Sequence, residues 1–390
     1  MANTKKDKRL PMNNLNDIIK EFGNLDSYKT CPEFWKAVPE NGLKFVESLH
    51  GATVRVIGQS AGKRDIIALE YGDKEETGAT VNNLQSSLAS KIANPDPTSI
   101  FPEEFYGLKR RVKPVLILQG ALHGGELTGT VASLNLCNII ESGVDLRGKA
   151  WPELQSMAGQ YRLLVIPWSN PDGTARAGIA CSSGIPAELY SRLTMGVKKG
   201  GIPFKYPENK KQYPVPLAEV AYLGSYYNDN GYNLQYDFCE TERQPETKTW
   251  MKYYLEEKPD AVVAWHCDNG SLFSMPPALL PVGFQHQVSR IAGAVRQGLC
   301  RKGYGVGRLS WAQLPGLGKD NLTQVEAIYH VCGALPLLCE LPAGTDNKLF
   351  TPDEMLDISL ITLEELLFFG LEDGFRPYEY RRKIINSTRE

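Results

Sequence analysis

Val115-Leu116-Ile117-Leu118-Gln119-Gly120 is a short apolar run with branched side chains, closed by glycine, and it reads as a buried β-strand. His123-Gly124-Gly125-Glu126 follows at once, and Thr128 to Ile140 then carries apolar residues at helical spacing. A strand that becomes a helix within a few residues commits the chain to an α/β layer. In such a sheet the junction lies at the carboxyl edge, where ligands bind. Residues i and i+3 share a face of a helical turn, so His123 and Glu126 converge on one point. An imidazole nitrogen and a carboxylate oxygen are two of the three protein ligands that a catalytic zinc commonly takes. The pair also has a plainer reading, with His123 as a hydrogen-bonded turn residue and Glu126 as a helix N-terminal acid favoured by the macrodipole.

The rest of the chain repeats the strand-then-helix pattern. Thr53 to Gly58 and Asp65 to Gly72 alternate as half-buried strands, with turn residues Gln59-Ser60-Ala61-Gly62-Lys63 between them. Tyr161 to Pro167, Asp260 to Trp265 and Leu335 to Leu341 read as central strands. Helices are expected over Pro32–Leu49, 127–142, Glu246–Lys258, Phe284–Lys302 and Pro352–Phe369. Thr351 is the N-cap of the last one, and Glu354 completes its capping box. Residues 73–112, with Pro95, Pro97 and Pro102, read as a loop or short helical detour. Residues 178–230 are rich in Gly, Pro, Lys and Tyr with little periodicity, and read as a long insertion over a site. The fold expected is a three-layer α/β/α domain with a mixed, mostly parallel sheet. It spans residues 51–375, after a polar tail and helix over 1–50 and before a tail over 376–390.

Composition narrows the function. The 390 residues are 42% hydrophobic and 23% charged, with net charge −2, so no basic footprint suggests a nucleic acid. No run is long and apolar enough for a membrane-spanning helix, and no signal core follows the lysine-rich start. The eight cysteines show neither CxxC spacing nor a disulfide framework, which reads as reduced thiols in a cytoplasmic protein. Cys137 and Cys339 lie in apolar runs and read as small core residues.

Four features stand at or near strand ends: His123 with Glu126, the run Asn170-Pro171-Asp172-Gly173, His266, and Glu340. His266 is the natural third ligand for one zinc ion per chain. Two histidines, one glutamate and a water make a catalytic zinc set. Zinc lowers the pKa of bound water to roughly 7 and polarises a carbonyl. A carboxylate must still take the water's proton and hand it to a leaving amine. Glu340, set in the apolar run Leu337-Leu338-Cys339-Glu340-Leu341, is costly to bury unpaired, which marks it for that work against a structural ion pair.

On these motifs the chain resembles the zinc carboxypeptidases of the carboxypeptidase A type. The resemblance also takes in Gly231 to Phe238 and the strand pair around Gly58 to Leu69, and it spans roughly residues 50–370. It implies a sheet of about eight strands and metal-assisted amide hydrolysis, with His123, Glu126 and His266 as ligands and Glu340 as general base and acid. Arg176 is the candidate for stabilising the oxyanion, with Arg192 behind it.

The departures from the family pattern bear on the substrate. Gln235 and Tyr236 stand where the family carries an Asn-Arg pair that grips a terminal carboxylate. Both are expected to meet substrate through neutral hydrogen bonds only. Asn233 lines the same side and stands where an Asp orients the first histidine. No tyrosine is evident in Gly316-Leu317-Gly318-Lys319-Asp320, some twenty residues before Glu340, where the family has one. Arg243 and Arg308 are further candidates for a carboxylate partner. The substrate is therefore a peptide, or an acylated amino acid or modified peptide met by a deacylase or amidase. A non-catalytic binding protein on the same fold is the third class.

Overall fold

The computed structural model describes residues 15–22, 31–75, 112–205, 214–239, 241–268, 271–274, 280–305, 308–310 and 323–376. The apolar runs become strands β1 (Thr53–Gln59), β2 (Asp65–Tyr71), β3 (Val115–Gln119), β4 (Arg162–Ile166), β5 (Gly196–Lys198), β6 (Ile202–Pro203), β7 (Val220–Leu223), β8 (Ala261–Asp268), β9 (Ser271–Ser274), β10 (Arg308–Ser310) and β11 (Leu335–Pro342). The main sheet has the spatial order β1-β2-β4-β3-β8-β11, and the short strands β9 and β10 extend it beyond β11. Its centre, β4-β3-β8-β11, is parallel. Its flanks are mixed, because β1–β2, β2–β4 and β11–β9 pair antiparallel.

Strand alternation divides two cores. Leu116 and Leu118 of β3 face one cluster with the helices Thr128–Ser142, Val282–Arg301 and Pro352–Glu372. Val115 and Ile117 face the other, with the helices Pro245–Glu257 and Gln324–Cys332. This makes three layers, helix on sheet on helix. Cys137 and Cys339 are fully buried free thiols in the first cluster. Thr351 caps its helix as expected: its Oγ1 accepts from Glu354 N at 3.2 Å, and Glu354 Oε2 accepts from Thr351 N at 2.8 Å.

Three expectations change. The helix expected over Pro32–Leu49 forms only as Pro39–Glu47. Val38 precedes a proline, which bars it from helical backbone, and it is extended at φ −110, ψ 157. Upstream of it Trp35 is held by its Nε1, which donates to the Ala180 carbonyl at 2.8 Å. The insertion has order of its own: a helix over Ala187–Met195 and a separate sheet in the order β6-β5-β7. An N-terminal helix, Leu15–Lys20, packs Ile18 and Ile19 against Leu189 and Leu193 of the insertion helix. Of the detour expected over 73–112, residues 76–111 lie outside the described residues, as do Gly316 to Asp320. No described helix is long and apolar enough to cross a membrane.

Candidate metal centre

The site lies at the carboxyl ends of β3 and β8. After β3 the chain passes through Ala121, a fully buried alanine at φ 49, a left-handed conformation that costs a non-glycine residue roughly 1–3 kcal/mol. His123 to Glu126 then turn into the helix that starts at Thr128. Gly124 and Gly125 are not among the residues of positive φ, so a left-handed turn does not require them. Close approach does. A Cβ on Gly124 would lie 2.1 Å from the Gly173 carbonyl carbon, and one on Gly125 would lie 2.5 Å from Ser225 Oγ. The loop is clasped between the short helix Pro171–Ala175, capped by Asn170, and the turn at 225–226 just beyond β7, where Gly124 N donates to the Ser225 carbonyl at 2.8 Å.

His123, Glu126 and His266 come together as the one group of three or more metal-capable side chains among the described residues, all buried, with ligand atoms within 4.8 Å of one another. Both histidines turn Nδ1 to the same carboxylate. His123 Nδ1 is 3.0 Å from Glu126 Oε1, and His266 Nδ1 is 3.0 Å from Glu126 Oε2. The Cys267 N–H also donates to Glu126 Oε2, at 3.2 Å. Burial alone would raise the pKa of Glu126, but the His123 and His266 rings outweigh it and hold the carboxyl well below the usual range.

The tautomer of His123 follows from its other nitrogen. Asn233 Oδ1 accepts the Gln235 N–H at 3.1 Å, which identifies that atom as the amide oxygen. His123 Nε2 is 3.2 Å from the same oxygen and is therefore the N–H donor. In a neutral ring Nδ1 is then a bare lone pair. It faces a carboxylate oxygen 3.0 Å away. Two lone pairs at that distance repel unless a cation lies between them, whether a proton or a metal. The donor set and its tautomer fit zinc.

Glu340 follows from strand register. β11 and β8 are parallel and in step, with Glu340 opposite His266. Neighbouring strands lie about 4.8 Å apart, and paired residues share a face, so this half-buried carboxylate stands beside the ligand histidine.

Other candidates lie elsewhere. The Arg176 guanidinium bonds Asp229 and the Tyr227 carbonyl. Arg192 bonds Glu21 at 2.7 Å and Glu188 at 2.6 Å, against the N-terminal helix. Arg243 Nε donates to the Phe238 carbonyl at 2.8 Å. Arg308 begins β10, and its side chain lies outside the described residues. Gln235 and Tyr236 are half-buried just beyond Asn233, and the Gln235 carbonyl accepts from Gln324 N at 2.8 Å. Asp172 is a structural anion. It accepts from Ser60 Oγ at 2.6 Å, Gly62 N at 2.8 Å, Arg64 Nη1 at 2.8 Å and Asp229 N at 3.1 Å. Burial raises its pKa, but these bonds, Ser60 first, outweigh it and hold the carboxyl low.

Two tyrosines of the insertion also reach the site. The Tyr226 ring stacks on His123 at 3.8 Å between centroids and 10° between planes, and its phenol bonds Glu126. Tyr190 sits on the insertion helix with its phenol oxygen buried and unpartnered. The nearest sequence signal was the tyrosine content of an aperiodic stretch.

Comparison with known proteins agrees with this architecture. Residues 43–185 match the family model Peptidase_M14, zinc carboxypeptidase. No curated protein matches the chain in sequence. A metallo-carboxypeptidase from Burkholderia cenocepacia superposes with a TM-score of 0.51 at 14% identity, covering 84% of this chain and 68% of that one. A metallo-carboxypeptidase from Pseudomonas aeruginosa, in complex with (2-guanidinoethylmercapto)succinic acid, gives 0.51 at 14% identity, covering 86% and 69%. Thrombin-activatable fibrinolysis inhibitor gives 0.52 at 11% identity, covering 91% and 80%. At these identities the structural likeness is one of fold. Together with the family match over 43–185, it supports the resemblance to the zinc carboxypeptidases.

Proposed function

We propose that the protein is a zinc-dependent hydrolase that cleaves an amide bond. The observation that carries this is the convergence of His123, Glu126 and His266, whose two Nδ1 atoms lie 3.0 Å from the two oxygens of one buried carboxylate. His123, Glu126 and His266 would hold the zinc. When bound, zinc supplies a Lewis acid and a water of lowered pKa. The chain's own groups do the rest. Asn233 keeps the His123 N–H on Nε2 and so keeps Nδ1 a ligand. Tyr226 fixes the plane of that ring by stacking. Glu340, beside His266 by register, takes a proton from the attacking water and returns it to the departing nitrogen.

The neutral pair Gln235 and Tyr236 supports a second reading of the substrate, an acylated amino acid or modified peptide instead of a free peptide C-terminus. Amidating the terminal carboxylate of a cleaved peptide separates the two: loss of turnover favours the carboxypeptidase, and retained turnover the amidase. The hydrolytic reading itself is tested by Glu340→Gln in protein purified without chelator. Zinc should stay stoichiometric while amide hydrolysis falls by roughly 10³-fold or more. Wild-type protein without bound metal, or a variant with unchanged turnover, would sink it.

A further inference from the structure

We propose that the Tyr190 phenol is the hydrogen-bond donor to the carbonyl oxygen of the scissile amide, the role that sequence reading gave to Arg176. The inference rests on the hydrolytic reading above. It starts from two arginines whose Nη atoms are already engaged; their Nε atoms are buried without partners, but neither arginine lines the hollow beside the ligand loop. The Arg176 guanidinium bonds Asp229 and the Tyr227 carbonyl, and Arg192 is turned to Glu21 and Glu188. A donor for developing oxyanion charge must be free before substrate arrives and must need no reorganisation.

Tyr190 meets both conditions. Its oxygen is buried without a hydrogen-bond partner, a state that costs roughly 1–3 kcal/mol unless something fills it. Its side chain lines a small, largely apolar hollow with Ala177, Ile179, Ile185 and Leu193. That hollow reaches Gly125, which lies between the ligands His123 and Glu126. The carboxylates of Glu126 and Glu340 lie close enough to act on the phenol electrostatically. Burial first, and then Cys267, Glu126 and Glu340, push its pKa well above the ordinary tyrosine value, so the group stays an O–H donor.

The phenol is also held in place. Ser225 N donates to the Leu193 carbonyl at 3.1 Å, and Tyr226 N to the Thr194 carbonyl at 2.9 Å. These bonds tie the Tyr190 helix to the turn that clasps the ligand loop. From the outer side, Ile18 and Ile19 pack on Leu189 and Leu193 of the same helix.

The test is Tyr190→Phe, which keeps the ring and deletes the donor, in zinc-loaded full-length protein. Its kcat should fall about 10²–10³-fold with KM little changed. A phosphinic N-acetyl-alanyl-alanine analogue, whose anionic oxygens imitate the tetrahedral centre, should bind about tenfold or more weakly by calorimetry than it binds wild type. Zinc content should not move, and Tm should not fall, because the deleted hydroxyl has no partner in the ligand-free protein. As a second probe, 3-fluorotyrosine at position 190 keeps the hydroxyl, and its ¹⁹F resonance should shift when the phosphinate saturates the site. Wild-type phosphinate affinity in the variant, or a ¹⁹F resonance unmoved at saturation, would overturn the proposal. The binding and ¹⁹F measurements require no turnover, so they decide Tyr190 even if the wild type hydrolyses no amide and the hydrolytic reading fails.

Discussion

Two buried carboxylates, Glu126 and Asp172, sit on segments that clasp one another and end in different conditions. Asp172 is fully buried and accepts from two side chains and two backbone N–H groups, which join the β1–β2 turn to the Asp229 turn. Glu126 accepts from Cys267 N at 3.2 Å and from the Tyr226 phenol, but its two oxygens also face the Nδ1 atoms of His123 and His266 at 3.0 Å, and His266 Nε2 has no partner. At Asp172 every partner is a fixed donor of the protein, whereas at Glu126 two of the partners are histidine nitrogens that a metal could also take. A buried anion met only by fixed donors is architecture, and one that shares its histidines with a possible metal marks chemistry.

The comparison is broken most directly by Glu126→Gln. The neutral amide should cost at least about 10³-fold in zinc affinity, roughly 4 kcal/mol. It should cost the metal-free protein far less than that, since the amide oxygen can still accept from the Cys267 N–H. A metal-free variant that melts well below the wild type would show that Glu126 is structural. Asp172→Asn should do the reverse. It breaks a buried charged network at a cost of about 3 kcal/mol in denaturant unfolding, while zinc binding persists in the folded protein. Lost zinc at unchanged stability would collapse the distinction.

The smallest effect concerns Glu246, which neighbours Asp172. Its carboxylate accepts from Ala61 N at 2.9 Å and Asn228 Nδ2 at 3.2 Å. Burial raises its pKa from 4.5 to about 7. A carboxyl whose pKa is raised by folding is favoured protonated. Its contribution is present below about 4.5 and lost as the pH rises through about 7. Glu246→Gln mimics the protonated form, so it should gain on the order of 2 kcal/mol over wild type between pH 5 and pH 8. Equal differences in Tm at the two pH values would refute this.

Sequence patterning reached the parts of the molecule where chemistry and secondary structure are local. β3, β4, β8 and β11 declare themselves as short apolar runs, and the Thr351–Glu354 capping box is contained in four residues. The meeting of His123, Glu126 and His266, and the place of Glu340 opposite His266, were legible because each lies on or just beyond such a strand, and parallel pairing gathers strand ends at one edge. The Tyr190 and Tyr226 contacts were not. Tyr226 stacks on a histidine more than a hundred positions earlier, and the insertion's helix is hidden between glycines and prolines. The reason for Gly124 and Gly125 was also out of reach, since it lies in the backbone of Gly173 and the side chain of Ser225. Whether Arg176 was available could be judged only once Asp229 was seen against it.

The step between Glu340 and His266 carries a consequence for how such a centre can change over time. Both belong to neighbouring parallel strands, in register from Leu335↔Ala261 to Pro342↔Asp268. A single insertion or deletion in β11 upstream of Glu340 would turn the carboxylate to the opposite side of the sheet, and a shift of two would carry it about 7 Å along the strand. No intermediate spacing exists. The acid and its neighbouring imidazole can be inherited together or lost together, but they cannot drift apart by degrees. A descendant of this chain that gives up the reaction is expected to do so by exchanging Glu340 for another residue, with the strand's length preserved.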